Sequence, residues 1–143
     1  MKPFPLWFAR IAVAAVFLMN VSCAIDFILR PERYAGGFEV GGVVGNALVQ
    51  SLGILFLMWN ATYPPVIWQP VKHKTLFIVI LIQQLIGVIG ESWLYFQMPA
   101  EHAALRATGL RFMLFDGLGL VLLSIAFGWL VLKRKTPTQV TQA

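Results

Sequence analysis

The chain has 143 residues, of which 59% are hydrophobic and 12% are charged, with a formal net charge of +5. A soluble domain carries roughly 25% charged residues, so this composition excludes an ordinary soluble globular fold. Four apolar stretches each reach the roughly 20 residues that a helix needs to cross a bilayer. They are residues 6–29, 40–59, 76–96 and 110–132. None shows the polar/apolar alternation of a membrane β-strand. We predict an all-α integral membrane protein: one four-transmembrane-helix bundle over residues 1–135 and a disordered cytoplasmic tail over 136–143.

The first stretch admits a second interpretation, because Lys2 and Arg10 precede apolar residues as in a secretory signal peptide. Cys23 would then lie at a lipoprotein-type cleavage site. However, the residue three before it is Asn20 rather than leucine, and apolar character continues to Leu29. A signal peptide has a shorter apolar core of about 7–15 residues, so we favour a retained helix. Cys23 is the only cysteine, which excludes an intrachain disulfide.

Proline and glycine separate the stretches. Pro31 with Gly36 and Gly37 breaks the first helix, because proline lacks a backbone donor and clashes with the preceding turn. The pair Pro64–Pro65 and then Pro70 are expected to stop the second, and Pro99 to close the third. Residues 100–106 contain good helix formers, so they either extend the fourth helix outward or lie on the surface.

The basic residues predict the orientation, since cytoplasmic loops carry an excess of lysine and arginine. With a cytoplasmic N-terminus, seven basic residues lie inside and four outside, and both termini are cytoplasmic. The inner set is Lys2, Arg10, Lys72, Lys74, Lys133, Arg134 and Lys135, and the outer set is Arg30, Arg33, Arg106 and Arg111. All six carboxylates then map to the outer half: Asp26, Glu32, Glu39, Glu91, Glu101 and Asp116. We expect a bacterial cytoplasmic membrane as the location, and a basic inner face that contacts anionic lipids rather than nucleic acid.

Each stretch carries one stripe of small and polar residues at helical spacing. In the second, Glu39, Gly42, Asn46, Gln50 and Gly53 share a face, with Gly41 and Gly45 as a GxxxG pair beside it. In the third the stripe is Gln84, Gly87 and Glu91; in the first it is Ser22, Asp26 and Arg30; in the fourth it contains Asp116. Small residues permit close helix approach and amide side chains bond across it, so we expect all four stripes to face inward.

Carboxylates within membrane helices are costly unless they pair, take up a proton or meet water, and are functional candidates for that reason. We therefore predict an outward-opening polar pocket whose ligand-binding residues are Asn46, Gln50, Gln84, Glu91, Arg111 and Asp116. Arg111 is the expected counter-ion of Glu91 or Asp116, and Arg30 that of Asp26 four residues away. The alternative is a structural network that only locks the bundle together. His102, beside Glu101, is expected either at the surface or as a cap over the pocket.

Several strings resemble the DoxX-like group of small four-helix bacterial membrane proteins. They are Arg10–Ile11 ahead of an apolar helix, Phe27 and Pro31 after it, and the glycine-rich start of the second stretch. Further strings, Leu57-Met58-Trp59-Asn60, Gly90-Glu91-Ser92, Arg111-Phe112 and Phe115-Asp116-Gly117, are typical of a family signature of unassigned function. The resemblance implies a four-helix bundle, linked in part of that group to quinone or thiol redox systems.

Three functions are consistent with this pattern. The first is a binding or accessory subunit for a lipid-like or quinone-like ligand, or for a larger membrane complex or a second copy of the chain. The second is a membrane-embedded enzyme acting on an amphiphile, with Glu91 and Asp116 as acid and base; in architecture this is similar to the sterol-isomerase and sigma-2 receptor group. The third is a proton-coupled transporter, which would have to oligomerise. A substrate cavity would favour an enzyme, and a tightly packed core with an exposed Gly41/Gly45 face would favour a subunit. No HExxH, GxSxG or P-loop motif or His/Cys cluster occurs, so we predict no metal site and leave the cofactor open.

Overall fold

The computed structural model describes residues 3–132, and all regular structure within them is helical. Four helices are long: α1 (Pro3–Leu29), α3 (Gly42–Asn60), α5 (Lys74–Gln97) and α6 (Ala103–Leu132). Two short ones, α2 (Glu32–Ala35) and α4 (Tyr63–Trp68), lie in the connections, and a 3-10 turn (Gly36–Phe38) follows α2. α1, α5 and α6 are each long and apolar enough to cross a membrane, and so is α3 when it is taken together with α4. The predicted all-α four-helix architecture is therefore confirmed. The basic run 133–135 and the tail 136–143 lie outside the described residues.

The observed helix ends differ from the expected ones at two prolines, and the start of the fourth helix follows one of the two expected alternatives. Pro64 and Pro65 do not stop α3, which already ends at Asn60; they lie in the first turn of α4. Proline is favoured there because the backbone N–H that it lacks would have no helical partner. α6 begins at Ala103, seven residues before the predicted apolar stretch, so residues 103–106 extend the helix outward.

The four long helices form an incompletely closed bundle. α1 lies at the centre and packs against α3, α4 and α6, and α5 packs along α6. α3 and α5 make almost no direct contact with each other. On the side of α5 that is nearest α3, only α4 packs against it. The fully buried core lies between α1, α4, α5 and α6, where Val13, Tyr63, Phe77 and Leu123 are each 0% exposed. The rest of the space between α3 and α5 is therefore left to a cavity.

The outward faces of the long helices are apolar. Val43, Leu118 and Phe96 are more than 70% exposed, as are several other large hydrophobic side chains. In water such a surface would drive aggregation, whereas in a bilayer it contacts lipid tails. The GxxxG pair expected to form a packing face does not lie on one helix face. Gly41 has extended backbone and precedes α3, and Gly45 packs against Val40 of the same chain segment.

Gly53 sets the distance between α1 and α3. A Cβ at this position would lie 2.7 Å from the Ala24 carbonyl oxygen, 2.8 Å from Ile28 Cγ1 and 3.0 Å from Phe27 Cβ. The two backbones approach this closely only because glycine has no side chain, as is common where membrane helices pack. Gly128, in α6, has no atom within 4 Å of the corresponding position.

We predict that Gly53→Ala lowers the thermal stability of the protein in detergent, while Gly128→Ala leaves it unchanged or raises it. Overpacking costs about 1–3 kcal/mol. Replacing a helical glycine by alanine gains about 0.5–1 kcal/mol, and Gly128→Ala receives only that gain. Equal midpoints of unfolding for the two variants would contradict the close α1–α3 contact.

Candidate functional site

A cavity of about 460 Å³ lies between the helices on the side of the core that faces linkers 30–41 and 98–102. This side of the bundle is called the linker end below. Its lining combines aromatic rings with amides and carboxylates, and the two sets are called the aromatic wall and the polar wall below. The aromatic wall consists of Phe27, Tyr34, Phe38, Phe56, Trp59, Phe112 and Phe115. The polar lining consists of Asn20, Asn60, Gln84, Glu91 and Asp116, with Arg33 and Arg111 also in the lining. A volume of this size is within the roughly 300–1,000 Å³ of small-molecule sites.

Five rings of the aromatic wall, those of Phe27, Tyr34, Phe38, Phe56 and Phe112, form a packed cluster centred on Phe27. Its ring centroid lies 4.7 Å from that of Tyr34, 5.9 Å from that of Phe56 and 6.2 Å from that of Phe112. Rings from α1, α2, α3 and α6 thus meet around one residue that is 2% exposed. Because aromatic rings at these distances attract one another, this wall is held in place independently of the polar side.

Gln84 is the most deeply buried polar side chain of the cavity, at 1% exposure. Its Nε2 donates to the Tyr63 hydroxyl, 3.2 Å away. Its Oε1 lies over Gly119, 3.3 Å from where a Cβ would be, and accepts no hydrogen bond from the described residues. An unpaired buried acceptor costs about 1–3 kcal/mol. Gln84 is therefore a group that a ligand would stabilise.

Glu91 and Asp116 line the same cavity from α5 and α6. The Asp116 carboxylate lies where a Cβ on Gly87 would be, so the absence of a side chain at Gly87 makes room for it. Glu91 Oε2 is buried and has no hydrogen-bond partner among the described residues. The cavity thus places two acidic groups and an amide oxygen along one strip of the α5–α6 contact.

The expected ion pairs are partly corrected. Arg30 does pair with Asp26, with 3.8 Å between nitrogen and oxygen. Within residues 3–132 the other ion pair joins His102 to Glu39, so Arg111 pairs with neither Glu91 nor Asp116. Arg111 lines the cavity but is exposed, because it lies nearer the start of α6 and on a different face from Asp116. The prediction that it neutralises a buried carboxylate was wrong.

The cavity lining also contains two asparagines, Asn20 and Asn60, that were not among the predicted site residues. Asn20 Nδ2 donates to Asn60 Oδ1 over 3.3 Å, and Asn60 Nδ2 donates to the Phe56 carbonyl over 2.7 Å. Asn60 is 3% exposed. Asn20 lies within an uninterrupted apolar stretch, which was the available signal, whereas Asn60 lies at the end of the predicted second stretch, where an asparagine is unremarkable.

Of the six predicted ligand-binding residues, the structure brings Gln84, Glu91, Arg111 and Asp116 to one cavity. It does not bring Asn46 and Gln50 there. The buried face of α3 consists of Gly45, Val49, Gly53 and Asn60, so Asn46 and Gln50 are each rotated one residue away from it. Gln50 instead donates to the Ile28 carbonyl of α1, 3.1 Å away, at an exposed position. Of the predicted α3 stripe, Gly53 is buried against α1 and Gln50 bonds to α1 at an exposed position, so the stripe faces α1 at its edge and does not face the cavity.

The two linkers are joined by Glu39, which has left-handed backbone at φ 55°. Its carboxylate lies 2.6 Å from His102 Nδ1 and accepts hydrogen bonds from the Ala104 and Leu105 N–H groups, at 3.1 and 3.2 Å. It thereby caps the first turn of α6 from a distant segment, which explains why the helix starts at Ala103. Glu39 is thus not part of the α3 stripe to which the sequence analysis assigned it.

A second contact between the first linker and α6 lies at the cavity itself. Thr108 of α6 donates to the Gly37 carbonyl over 2.7 Å, and both residues line the cavity. Of the two expectations for His102, the surface position is observed, because its side chain is exposed and does not line the cavity. Among residues 3–132 no group of three or more His, Cys, Asp or Glu side chains is arranged to hold a metal ion. Comparison of the chain with models of protein families, with curated proteins and with solved structures found no match.

We predict that the Glu39–His102 contact contributes most to stability between about pH 4.5 and 6.5. The hydrogen bond to Glu39, and then its charge, raises the pKa of His102 above its ordinary 6.5. The His102 contribution is therefore complete below pH 6.5 and is lost as pH rises through the raised pKa. The hydrogen bond from His102, followed by that from Leu105, lowers the pKa of Glu39 below its ordinary 4.5. The Glu39 contribution is complete above pH 4.5 and is lost as pH falls through the lowered pKa.

The measurement is the unfolding midpoint of the wild type and His102→Gln from pH 4 to 9. Their difference should be greatest near pH 5–6 and smaller at pH 9. His73→Gln, which alters the other histidine at the opposite end of the bundle, is the control and should show no such difference. A pH-independent effect of His102→Gln would contradict a charged contact.

Proposed function

We propose that this protein binds a small lipid-like or quinone-like amphiphile within the membrane, in the cavity between α3 and α5. The observation that carries the proposal is the pairing of two unlike walls in one cavity. The buried acceptors Gln84 Oε1 and Glu91 Oε2 have no partner among the described residues, and they share the cavity with a cluster of packed aromatic rings. A molecule with a polar head and an apolar body satisfies both walls at once.

The open side of the bundle supports a route from the lipid. Because α3 and α5 make almost no direct contact, the cavity is bounded between them by side chains rather than by a packed helix seam. Both helices present apolar side chains to their surroundings, among them Leu55 on α3 and Leu85 on α5, which are 56% and 45% exposed. Thr62 and Gln83 meet over 3.3 Å and close the opening on the side away from the linker end. An amphiphile dissolved in the bilayer would enter sideways between α3 and α5.

A binding cavity is favoured over a purely structural network or a packing subunit. A network that only locks the bundle would pair its carboxylates, yet Glu91 and Asp116 have no basic partner among residues 3–132. A packing subunit would offer Gly41 and Gly45 as an exposed helix face, and that face is not formed. We therefore place the functional residues in the cavity and not on the lipid-facing surface.

A second candidate function is an enzyme that acts on such an amphiphile. The observation that favours it is the presence of both Glu91 and Asp116 in one cavity with room for a substrate. One carboxyl group would deliver a proton and the other would accept one, which is general acid–base catalysis. Substrate turnover that is lost in both Glu91→Gln and Asp116→Asn, with binding retained, would establish it.

We also propose an orientation of the protein in the membrane and a family to which it belongs. We infer that the linker end faces outward and both termini face the cytoplasm, on the basis of the seven-to-four distribution of basic residues. The bacterial cytoplasmic membrane and membership of the DoxX-like group are inferred with it. The four-helix bundle is consistent with that group but is shared by unrelated membrane proteins, so the motif resemblance alone carries the assignment.

We predict that Gly87→Ala weakens amphiphile binding at least about threefold, while Gly90→Ala does not. Both glycines are in α5. A methyl group at position 87 would displace the Asp116 carboxylate, whereas a methyl group at position 90 meets no atom within 4 Å. Dissociation constants follow from the concentration dependence of the unfolding midpoint with 4-hexylphenol and with 4-hexylacetophenone. If neither compound stabilises the wild type more than it stabilises Gly87→Ala, the cavity is not the binding site.

A further inference from the structure

A second cavity, of about 450 Å³, lies at the end of the bundle opposite the linker end. It is bounded by the first turns of α1 and by segment 69–73, which joins α4 to α5. Its lining consists of the apolar residues Leu6, Pro70 and Val71 and the polar residues Arg10, Gln69 and Lys72. Both charged residues are cations, so this space is called the basic cavity below. None of its residues lines the cavity between α3 and α5, and the two sites are therefore separate.

Arg10 is held in position but forms only one hydrogen bond among the described residues. Its Nη2 donates to the Trp68 carbonyl over 2.7 Å, and its Cζ lies 5.2 Å from the centroid of the Trp7 ring. Its Nε is buried and has no hydrogen-bond partner within residues 3–132. An arginine in a protein stays charged and carries five N–H donors in a planar fork that matches the oxygens of a phosphate group. Arg10 is thus an oriented cation with donors left for an anion.

No acidic side chain balances the charge of the basic cavity. The sequence has no aspartate or glutamate in residues 1–25, 40–90 or 117–143, and this end of the bundle is built from those segments. Both ion pairs formed within residues 3–132 involve carboxylates near the linker end. An anion that neutralises the two cations therefore comes from outside the protein.

Exposed tryptophans place the basic cavity at the level of the lipid head groups. Trp7 and Trp68, which both contact Arg10, are 54% and 75% exposed. Trp129, at the same end of α6, is 42% exposed and packs against Phe8 with ring centroids 5.1 Å apart. Tryptophan is enriched where a membrane meets water, because its ring is apolar and its N–H is polar. The phosphate groups of the surrounding lipids thus lie at the depth of Arg10.

We propose that the basic cavity binds the phosphate of a phospholipid whose head group has a net negative charge. Arg10 and Lys72 hold the phosphate oxygens, and the apolar part of the lining contacts the glycerol and the first acyl carbons. A choline or ethanolamine head group brings its own cation to two unpaired cations, so a net negative head group is preferred. The general attraction of a basic face for anionic lipid is thereby reduced to one lipid at one cavity. This site does not depend on the amphiphile binding proposed above.

The test measures lipid binding to the full chain, purified free of lipid in an uncharged detergent. The probes are dioleoylphosphatidylglycerol, dioleoylphosphatidylcholine and inorganic phosphate. Dissociation constants come from the concentration dependence of the unfolding midpoint, and native mass spectrometry counts the bound lipids. Each basic residue near a membrane surface strengthens the attraction for anionic lipid roughly fivefold. We therefore expect one phosphatidylglycerol per chain, bound at least about tenfold more tightly than phosphatidylcholine. Inorganic phosphate at the same concentration should leave the midpoint unchanged.

Variants test whether the named cations cause the preference. Arg10→Gln should weaken phosphatidylglycerol binding about fivefold or more, and Lys72→Gln about threefold or more, with little change for phosphatidylcholine. Arg106→Gln is the matched control, because it removes the same charge from a guanidinium with the same kinds of contact. Arg106 donates to the Met98 carbonyl and lies 4.7 Å from the centroid of the Tyr95 ring, but at the linker end. Its phosphatidylglycerol affinity should equal that of the wild type.

Four results would overturn the proposal. The first is phosphatidylglycerol binding that is absent or no tighter than that of phosphatidylcholine. The second is an equal loss in Arg10→Gln and Arg106→Gln, which would mean that only total charge matters. The third is equal stabilisation by inorganic phosphate, which would make the occupant a free anion. The fourth is loss of phosphatidylglycerol binding in Gly87→Ala, which would place the lipid between α3 and α5. Should Arg10→Gln not fold, Lys72→Gln decides the question, because the Lys72 side chain is exposed.

Discussion

Every polar group in a membrane interior must find its partner within the protein or in a ligand, and this constraint governs the structure. The long helices satisfy their own backbone groups, which leaves their polar side chains to be accommodated. Five of these line one cavity: Asn20, Asn60, Gln84, Glu91 and Asp116. They converge because α1 and α6 pack closely on their partners while α3 and α5 stay apart. The cavity thus exists because the bundle is not closed between α3 and α5.

The two ends of the cavity are stabilised by different kinds of contact. On the side of the core, Tyr63 and Phe77 are fully buried, and Gln84 bonds to Tyr63. At the linker end, closure depends on polar contacts between segments far apart in sequence, namely Glu39 with the first turn of α6 and Gly37 with Thr108. Contacts of this kind at an exposed surface open more easily than a packed core. Movement at the site is therefore expected first at the linkers.

The helices were predictable from the sequence because length and apolar content alone specify a membrane span. Gln84, Glu91 and Asp116 were identified for a related reason, since polar groups within such stretches have few places to go. Rotation was not predictable for α3: Gly53 fits against the Ala24 carbonyl, and this long-range contact directs Asn46 and Gln50 elsewhere. The start of α6 was left open between two alternatives for the same kind of reason, because its cap is Glu39, 64 residues before Ala103.

Native mass spectrometry of the full-length protein, extracted gently from its own membrane, tests the central claim most directly. The claim is that the open space between α3 and α5 is a binding site for an amphiphile. We predict a 1:1 complex with a small amphiphilic molecule of defined mass that dissociates when the protein unfolds. A protein released only at its own mass, without any bound molecule under conditions that preserve lipid adducts, would contradict the claim and return the buried acceptors to a purely structural role.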